Sequence, residues 1–176
     1  MPGIDQKRPF LSVQIAVLTI SDTRTEADDR SGDVLVSRLE AAGHTLAARS
    51  IVPDNKDLIG SRLASWIDDS EIDVVLATGG TGVTGRDVSP EVFEEVFEKH
   101  IAGFGELFRM LSFEKIGTST IQSRATAGVV RGTYLFLMPG SPGACMDAWD
   151  GILVHQLDNR YRPCNFVELM PRLTEV

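Results

Sequence analysis

The feature that most constrains the fold is a series of short apolar runs that alternate with helical patterns. Residues 13–20 read VQIAVLTI, a nearly continuous apolar run rich in β-branched side chains. A strand that is apolar on both faces must be covered on both faces, as in a parallel sheet. Similar runs at 45–52, 73–78, 125–130 and 134–138 predict four more strands. We therefore expect an α/β fold, a three-layer α/β/α sandwich with a mostly parallel central sheet.

Between these runs, apolar residues recur at the spacing of helices. Serine precedes three of the patterns as a predicted N-cap (Ser31, Ser89 and Ser141), and Gly43 marks a helix end. Pro90 and Pro142 suit the first helical position. The predicted apolar stripes are Leu35, Leu39 and Ala42; Ile59, Leu63, Trp66 and Ile67; Val92, Phe93, Val96 and Phe97; Phe104, Leu107, Phe108 and Leu111; and Cys145, Trp149, Ile152 and Leu153.

The length of 176 residues suits one domain with a substantial core. Residues 1–12 show no period and contain two prolines, so we expect a mobile N-terminal arm there. We expect residues 13–176 to form a single domain.

The charge and the apolar pattern exclude several function classes. A net charge of −8 argues against nucleic acid and anionic membranes as partners, because both require a basic face. No apolar run is long enough for a membrane span, and no secretory leader is visible, so we expect a cytoplasmic protein. Cys145 and Cys164 are expected to be reduced, buried thiols. His44, His100 and His155 have no metal-ligand spacing and are expected to be structural or exposed.

Three predicted strand ends carry unusual polar loops. They are residues 19–23 (TISDT), 78–89 (TGGTGVTGRDVS) and 139–143 (PGSPG). Ligands bind outside the carboxyl ends of strands in open parallel sheets. We therefore expect these three loops to converge at one edge of the sheet and to form a binding site.

The middle loop contains Gly80-x-Gly82-x-x-Gly85, which matches the dinucleotide fingerprint literally. That fingerprint belongs after the first strand and needs an acidic residue about 20 positions later, and neither condition is met. A Walker loop is excluded because no Gly-Lys-Ser/Thr follows. The remaining functional interpretation is a backbone nest for one anion, with the Thr78 and Thr81 hydroxyls as extra donors; the alternative is a plain tight turn.

Two aspartates accompany this loop. Asp87, beside a phosphate cradle, suggests Mg²⁺ held between the carboxylate and substrate phosphates, or else a cap for the following helix. Asp54 follows a strand and is either a helix cap or a second carboxylate near the metal and substrate. Arg109, Lys115 and Arg124 are candidate cations, although each taken singly suits a solvated surface position.

Several motifs together resemble the MoaB/MogA family of molybdenum cofactor biosynthesis proteins. They are TGGTG-x-x-x-x-D at 78–87, SPE at 89–91, GFGE at 103–106, SRA at 123–125 and PGSP at 139–142. The resemblance extends from about residue 15 to residue 166, and the stretches 109–125 and 156–166 resemble the MoaB branch in particular.

The resemblance implies a three-layer α/β fold that assembles as a trimer or hexamer. It implies molybdopterin as substrate and, in active members, adenylylation of its phosphate by Mg-ATP, with other proteins of the pathway as further partners. It assigns catalysis to Asp54 and substrate contacts to Ser21, Asp22 and the turn Pro139, Gly140, Ser141 and Pro142. From the loop residues themselves, we expect Asp87 to act in catalysis and to bind Mg²⁺, and the substrate to be bound by Thr78, Gly79, Gly80, Thr81 and Gly82.

Three functional hypotheses remain open on the sequence. The first is a molybdopterin adenylyltransferase, which the aspartate of Pro53-Asp54-Asn55 favours, although Asn55 stands where relatives often carry an acidic residue. The second is a molybdopterin carrier or assembly protein without turnover. The third is an unrelated nucleotide-binding domain with similar glycine geometry.

Overall fold

A computed structural model describes residues 1–175 of the chain, and it contains a six-stranded sheet beside a small two-stranded one. The α-helices are α1 (Arg30–Ala41), α2 (Lys56–Ile67), α3 (Ser89–Val96), α4 (Ala102–Ile116), α5 (Pro142–Ala148) and α6 (Val154–Gln156). A π-helix (Trp149–Leu153) joins α5 to α6, and 3-10 helices span Gly117–Gln122 and Val167–Arg172. The strands are β1 (Gly3–Ile4), β2 (Gln14–Ile20), β3 (Thr45–Val52), β4 (Val74–Thr78), β5 (Lys99–His100), β6 (Thr126–Val130), β7 (Thr133–Met138) and β8 (Tyr161–Arg162).

The order of the large sheet is β3-β2-β4-β7-β6-β5. The pairs β3–β2, β2–β4 and β4–β7 are parallel, whereas β6 pairs with both β7 and β5 in antiparallel fashion. All five predicted strands are present within one residue of their expected bounds. The short strands β1, β5 and β8 were not predicted, because two residues carry no detectable alternation.

Two apolar clusters lie on opposite faces of this sheet, which confirms the three-layer α/β/α prediction. On one face, α1, α4 and α5 bury side chains such as Leu39, Phe108 and Cys145. On the other face, α2 and α3 bury Leu63 and Phe93. Within residues 1–175, no helix is both long and apolar enough to cross a membrane.

The predicted helix caps are partly wrong. Ser141 caps α5 as expected, and its Oγ accepts the Ala144 N–H at 3.1 Å. However, α1 is capped by Asp29, and Ser31 lies inside the helix. Likewise, α3 begins at Ser89 itself, with Val88 before it and no side-chain cap. Several small polar residues precede each of these helices, and local preference alone does not select among them.

Two burial predictions also need correction. Cys145 is buried as expected, whereas the free thiol of Cys164 is exposed. Leu107, placed in the apolar stripe of α4, is 41% exposed. Both side chains match the expected residue type for a core but lie where no other layer covers them. His44 is buried, and His100 and His155 are exposed, in agreement with the prediction.

The predicted arm makes contacts with the C-terminal part of the chain. β1 pairs with β8, and the Leu11 N–H donates to the Asn159 side-chain oxygen at 2.9 Å. Whether residues 1–12 move, and whether 13–176 form one domain, stay predictions.

Candidate functional site

The carboxyl ends of β2, β3, β4 and β7 surround a small polar cavity of about 280 Å³. Backbone hydrogen bonds join neighbouring strand ends, since the Ser21 N–H donates to Val52 O at 2.9 Å and the Gly79 N–H to Met138 O at 3.1 Å. The predicted convergence of the three loops is therefore confirmed. The cavity is lined by Thr19, Ile20, Ser21, Thr23, Arg24, Ser31, Asp54, Thr78, Gly79, Gly80 and Gly140.

Gly79 and Gly80 form the floor of this cavity in a conformation that requires glycine. Their φ angles are +115° and +63°, in the region that L residues avoid. A Cβ on Gly79 would collide with Ile20 O, and a Cβ on Gly80 would collide with Ser89 Oγ and stand 2.6 Å from Asp54 Oδ1. These two residues turn the backbone sharply, and successive N–H groups in a turn can face one anion.

Asp54 contributes a carboxylate to the cavity, and its neighbours disfavour the charge. Burial raises its pKa above the usual range for aspartate, and the negative charges of Asp22 and Asp87 raise it further. The Asp54 N–H donates to Asp22 Oδ1 at 3.1 Å, which joins the loop after β3 to the loop after β2. The cap interpretation of Asp54 is wrong, because Asn55 caps α2 and accepts the Leu58 N–H at 3.1 Å.

Asp87 lies on the outer part of the glycine loop (residues 78–87), against Gly82. Its Oδ2 accepts the Thr84 hydroxyl at 2.6 Å and the Thr84 N–H at 2.9 Å. These bonds, chiefly the one from the hydroxyl, hold the pKa of Asp87 below its usual range. A Cβ on Gly82 would stand 2.7 Å from the same oxygen. Asp87 does not cap α3, so that alternative is also wrong.

Two arginines at the site were not predicted. Arg24 lines the cavity, and its guanidinium donates to Asp28 O at 2.7 Å. Arg86 forms an ion pair with Asp22 and thereby holds the pKa of that carboxyl below its usual range. Both arginines lie in loops that follow strands, and this position was the signal in the sequence that could have identified them.

The first two residues of the 139–142 loop lie at the cavity, where their carbonyl oxygens accept hydrogen bonds from side-chain hydroxyls. The Thr78 hydroxyl donates to Pro139 O at 2.8 Å, and the Ser31 hydroxyl donates to Gly140 O at 2.8 Å. The hydroxyl of Thr78 therefore joins strand ends and is not the extra anion donor that the sequence predicted. Thr81, the other predicted donor, is a buried side chain.

Ser141 lies outside the cavity, with Pro142 as the first residue of α5. It lines a larger groove of about 600 Å³ between α4 and α5. Of the candidate cations, Lys115 also lines that groove and pairs with Asp147. Arg109 donates to Ala125 O at 3.2 Å, away from the cavity. Arg124 does reach the glycine loop, through Gly82 O and Asp87 O.

Three carboxylates lie near one another at the site, of which Asp54 lines the cavity and Asp22 and Asp87 lie outside its lining. Asp22, Asp54 and Asp87 are close enough for the charges of Asp22 and Asp87 to raise the pKa of Asp54. Over residues 1–175, however, no group of three or more His, Cys, Asp or Glu side chains could hold a metal alone. Mg²⁺ is commonly held by one or two carboxylates together with substrate phosphates, and this donor set suits that mode.

The family of the chain follows from comparison with known proteins. The model of a family described as "Probable molybdopterin binding domain" matches residues 16–159. Molybdenum cofactor biosynthesis protein B of Escherichia coli (strain K12) is 50% identical over 157 residues, which cover 89% of this chain and 92% of that protein. The chain belongs to the MoaB/MogA family.

The fold supports the same membership. A crystal structure of a molybdenum cofactor biosynthesis protein B superposes with a TM-score of 0.86 at 36% identity, covering 96% of this chain and all of that one. A relative from Methanocaldococcus jannaschii named "Probable molybdopterin adenylyltransferase" is 38% identical over 144 residues, which cover 78% of this chain and 85% of that protein. The MoaB/MogA resemblance of the sequence motifs is thus confirmed.

Proposed function

We propose that this protein acts in molybdenum cofactor biosynthesis, binds molybdopterin and adenylylates its phosphate with Mg-ATP. The observation that carries the proposal is the glycine nest at Gly79 and Gly80, which has Asp54 directly beside it. An anion site next to carboxylates is repulsive unless a cation or a proton lies between them. The names of two relatives, a molybdenum cofactor biosynthesis protein and a probable molybdopterin adenylyltransferase, support the same assignment.

In the proposed reaction, an oxygen of the molybdopterin phosphate attacks the α-phosphorus of ATP. The new P–O bond forms as the bond from the α-phosphorus to the bridging oxygen breaks, and pyrophosphate leaves with the electron pair. Mg²⁺ neutralises the phosphate charges when it is bound. The protein's own contribution is to hold the two phosphates in line and to screen their repulsion.

The site residues take separate roles in this proposal. The Gly79 N–H is already donated to Met138 O, so the backbone N–H groups from Gly80 onward bind a phosphate. Arg24 supplies a positive charge on the cavity wall. Asp87, whose lowered pKa keeps it ionised, binds Mg²⁺. Asp54, with its raised pKa, accepts the last proton of the molybdopterin phosphate, a group whose second pKa is about 6. Ser21 lines the cavity, and Asp22 holds the loop of Asp54 by accepting the Asp54 N–H.

Pyrophosphate release from purified protein tests the proposal. Wild type supplied with Mg-ATP is expected to release pyrophosphate only when molybdopterin is also present. Asp54→Asn and Asp87→Asn should lower the rate by about a hundredfold or more. Asp57→Asn is the matched control, because Asp57 is an exposed aspartate in the first turn of α2 and should leave the rate unchanged.

A carrier without turnover is the second candidate, favoured by the size of the cavity. About 280 Å³ is small for molybdopterin and ATP together, since sites for small molecules usually span about 300–1,000 Å³. The carrier predicts molybdopterin binding with no pyrophosphate release at any ATP concentration. Steady, molybdopterin-dependent release would reject it.

We further propose that the chain forms a homo-oligomer, a trimer or a hexamer, through the apolar surface of α4. Met110, Phe113 and Ile116 of this helix are each more than half exposed, and Ile121 in the turn after it is 81% exposed. Large apolar side chains grouped on a surface mark protein–protein contacts.

A further inference from the structure

The outer segment of the glycine loop (residues 81–87) has few means of holding its own shape. It leaves the end of β4 and is largely exposed around Val83. Its internal hydrogen bonds are confined to one tight turn, in which the Asp87 N–H donates to Thr84 O at 3.1 Å and the Asp87 carboxylate accepts from Thr84. That turn shapes Asp87 locally but does not attach the segment to the sheet.

Arg86 joins the segment to Asp22 through an exposed ion pair of side chains. Arg124, from a distant part of the chain, attaches the main chain of the segment. Its Nε donates to Gly82 O at 2.8 Å, and its Nη2 donates to Asp87 O at 2.7 Å. Its own backbone N–H donates to Thr81 O at 3.2 Å. The remaining edge of the guanidinium pairs with Glu91 of α3. One side chain therefore holds both ends of the segment and joins them to the following helix.

The nest itself is anchored independently of Arg124. The Gly79 N–H donates to Met138 O at 3.1 Å, and Gly80 O accepts the Ser89 N–H at 3.2 Å. Loss of the Arg124 side chain should therefore free the segment that carries Asp87 while it leaves the phosphate nest in place. This separation makes the role of Arg124 measurable.

We propose that Arg124 is a positioning residue that clamps residues 81–87 so that the Asp87 carboxylate is held at the site. The inference rests on the proposed function for its kinetic consequence, but the clamp itself does not depend on turnover. The Ser123-Arg124-Ala125 motif thereby acquires a function, since the guanidinium of Arg124 is used on the main-chain oxygens of the segment and on Glu91.

Arginine suits this task because its planar guanidinium presents several donors in a fixed fork. Lysine keeps the charge but concentrates its donors on one atom, so it cannot reach Gly82 O, Asp87 O and Glu91 together. Arg124→Lys thus separates geometry from charge. Arg109→Lys is the matched control, because Arg109 also donates to backbone oxygens near Arg124, those of Ser123 and Ala125, but to none in the segment.

Amide hydrogen exchange in the ligand-free protein tests the clamp directly. Peptides that cover 81–87 should exchange about tenfold faster in Arg124→Lys, because a charged hydrogen-bond network is lost, while peptides from β4 and β7 stay protected. Glu91→Gln, which weakens only one edge of the guanidinium, should give a smaller increase of about threefold. Arg109→Lys should match wild type in this segment.

The kinetic consequence is a split between kcat and KM. With Asp87 displaced and the nest intact, Arg124→Lys should lower kcat by about tenfold or more and leave the KM for molybdopterin within about threefold. If wild type does not turn over, the affinity for Mn²⁺ in the presence of molybdopterin, measured by electron paramagnetic resonance, replaces kcat and should fall by about tenfold.

Three results would overturn the inference. If the amide hydrogen exchange rate of residues 81–87 in Arg124→Lys is within about twofold of wild type, Arg124 does not clamp the segment, whether or not the protein is an enzyme. Faster exchange throughout β4 and β7 would assign Arg124 a general role in stability. Faster exchange in the segment with unchanged kcat, or unchanged Mn²⁺ affinity in a protein without turnover, would reject its role in positioning Asp87.

Discussion

The side chain of Asp54 packs against the main chain of Gly80 at the floor of the polar cavity. Asp54 Oδ1 is only 2.6 Å from the point where a Cβ on Gly80 would stand. The nest and the carboxylate can be this close only because residue 80 is glycine, since any other side chain there would push them apart. A phosphate in the nest would lie beside an acidic group whose pKa is already raised.

Gly80→Ala should therefore both destabilise the protein and disrupt the site. The methyl group would meet both Asp54 Oδ1 and Ser89 Oγ at a φ of +63°, at a cost of about 1–3 kcal/mol. We expect lower stability in urea unfolding and loss of molybdopterin binding measured by calorimetry. Gly85→Ala is the control in the same loop, because a Cβ there meets nothing within 4 Å. Equal effects of the two substitutions would contradict this account.

Asp54→Asn should stabilise the protein at neutral pH. A carboxyl whose pKa is raised by folding contributes stability below its unfolded pKa, and that contribution is lost as the pH rises through the folded value. The neutral amide avoids the burial and repulsion of a charge, so the gain should be present at pH 7 and vanish in acid. Thermal unfolding of wild type and Asp54→Asn across pH 3–8 measures it. A stability difference that does not change with pH would refute the electrostatic cause.

Acid should destabilise the protein through His44. Burial lowers the pKa of His44 from 6.5 to about 4, and its Nδ1 accepts the Val13 N–H at 3.3 Å as a neutral ring. A folded pKa below the unfolded one gives stability that is complete above the unfolded pKa and is lost as the pH falls through the folded value. The loss between pH 6.5 and 4 should be on the order of 2–3 kcal/mol.

Denaturant unfolding at several pH values checks this expectation. His44→Asn keeps an acceptor but cannot titrate, so this part of the pH dependence should disappear. His155→Asn serves as the control, because it makes the same substitution at an exposed histidine. If both variants retain the wild-type profile, another group is responsible.

Phe113→Asp should dissociate the proposed oligomer. Phe113 is 55% exposed on α4 although it is large and apolar, and a charge there would be buried without a partner in any interface. We expect light scattering after size exclusion to give a trimer or hexamer for wild type and a monomer for the variant. Glu114→Asp, a substitution at an exposed neighbour, should leave the mass unchanged. A monomeric wild-type protein would end this proposal.

Much of the architecture was predictable because it depends on local pattern. The β-branched apolar runs gave strand bounds correct to one residue, and their apolar character on both faces predicted two covering layers. The glycine loop was recognisable because few residues other than glycine tolerate positive φ angles, and this loop has two in succession. The caps of α1 and α3 were not predictable, since neighbouring small polar residues are chemically equivalent until the chain path selects one.

The features of the site can likewise be separated into those that follow from local sequence and those that depend on the folded chain. By itself, the sequence determined a glycine-rich loop after a buried strand, two aspartates near it and the family to which the chain belongs. Only the tertiary structure decided that Asp54 touches Gly80, that the Thr78 hydroxyl is used within the fold, and that Arg124 holds a loop 37 positions before it in the chain. Hydrogen bonds and pKa shifts depend on distances between atoms, and distances between remote residues exist only once the chain has folded.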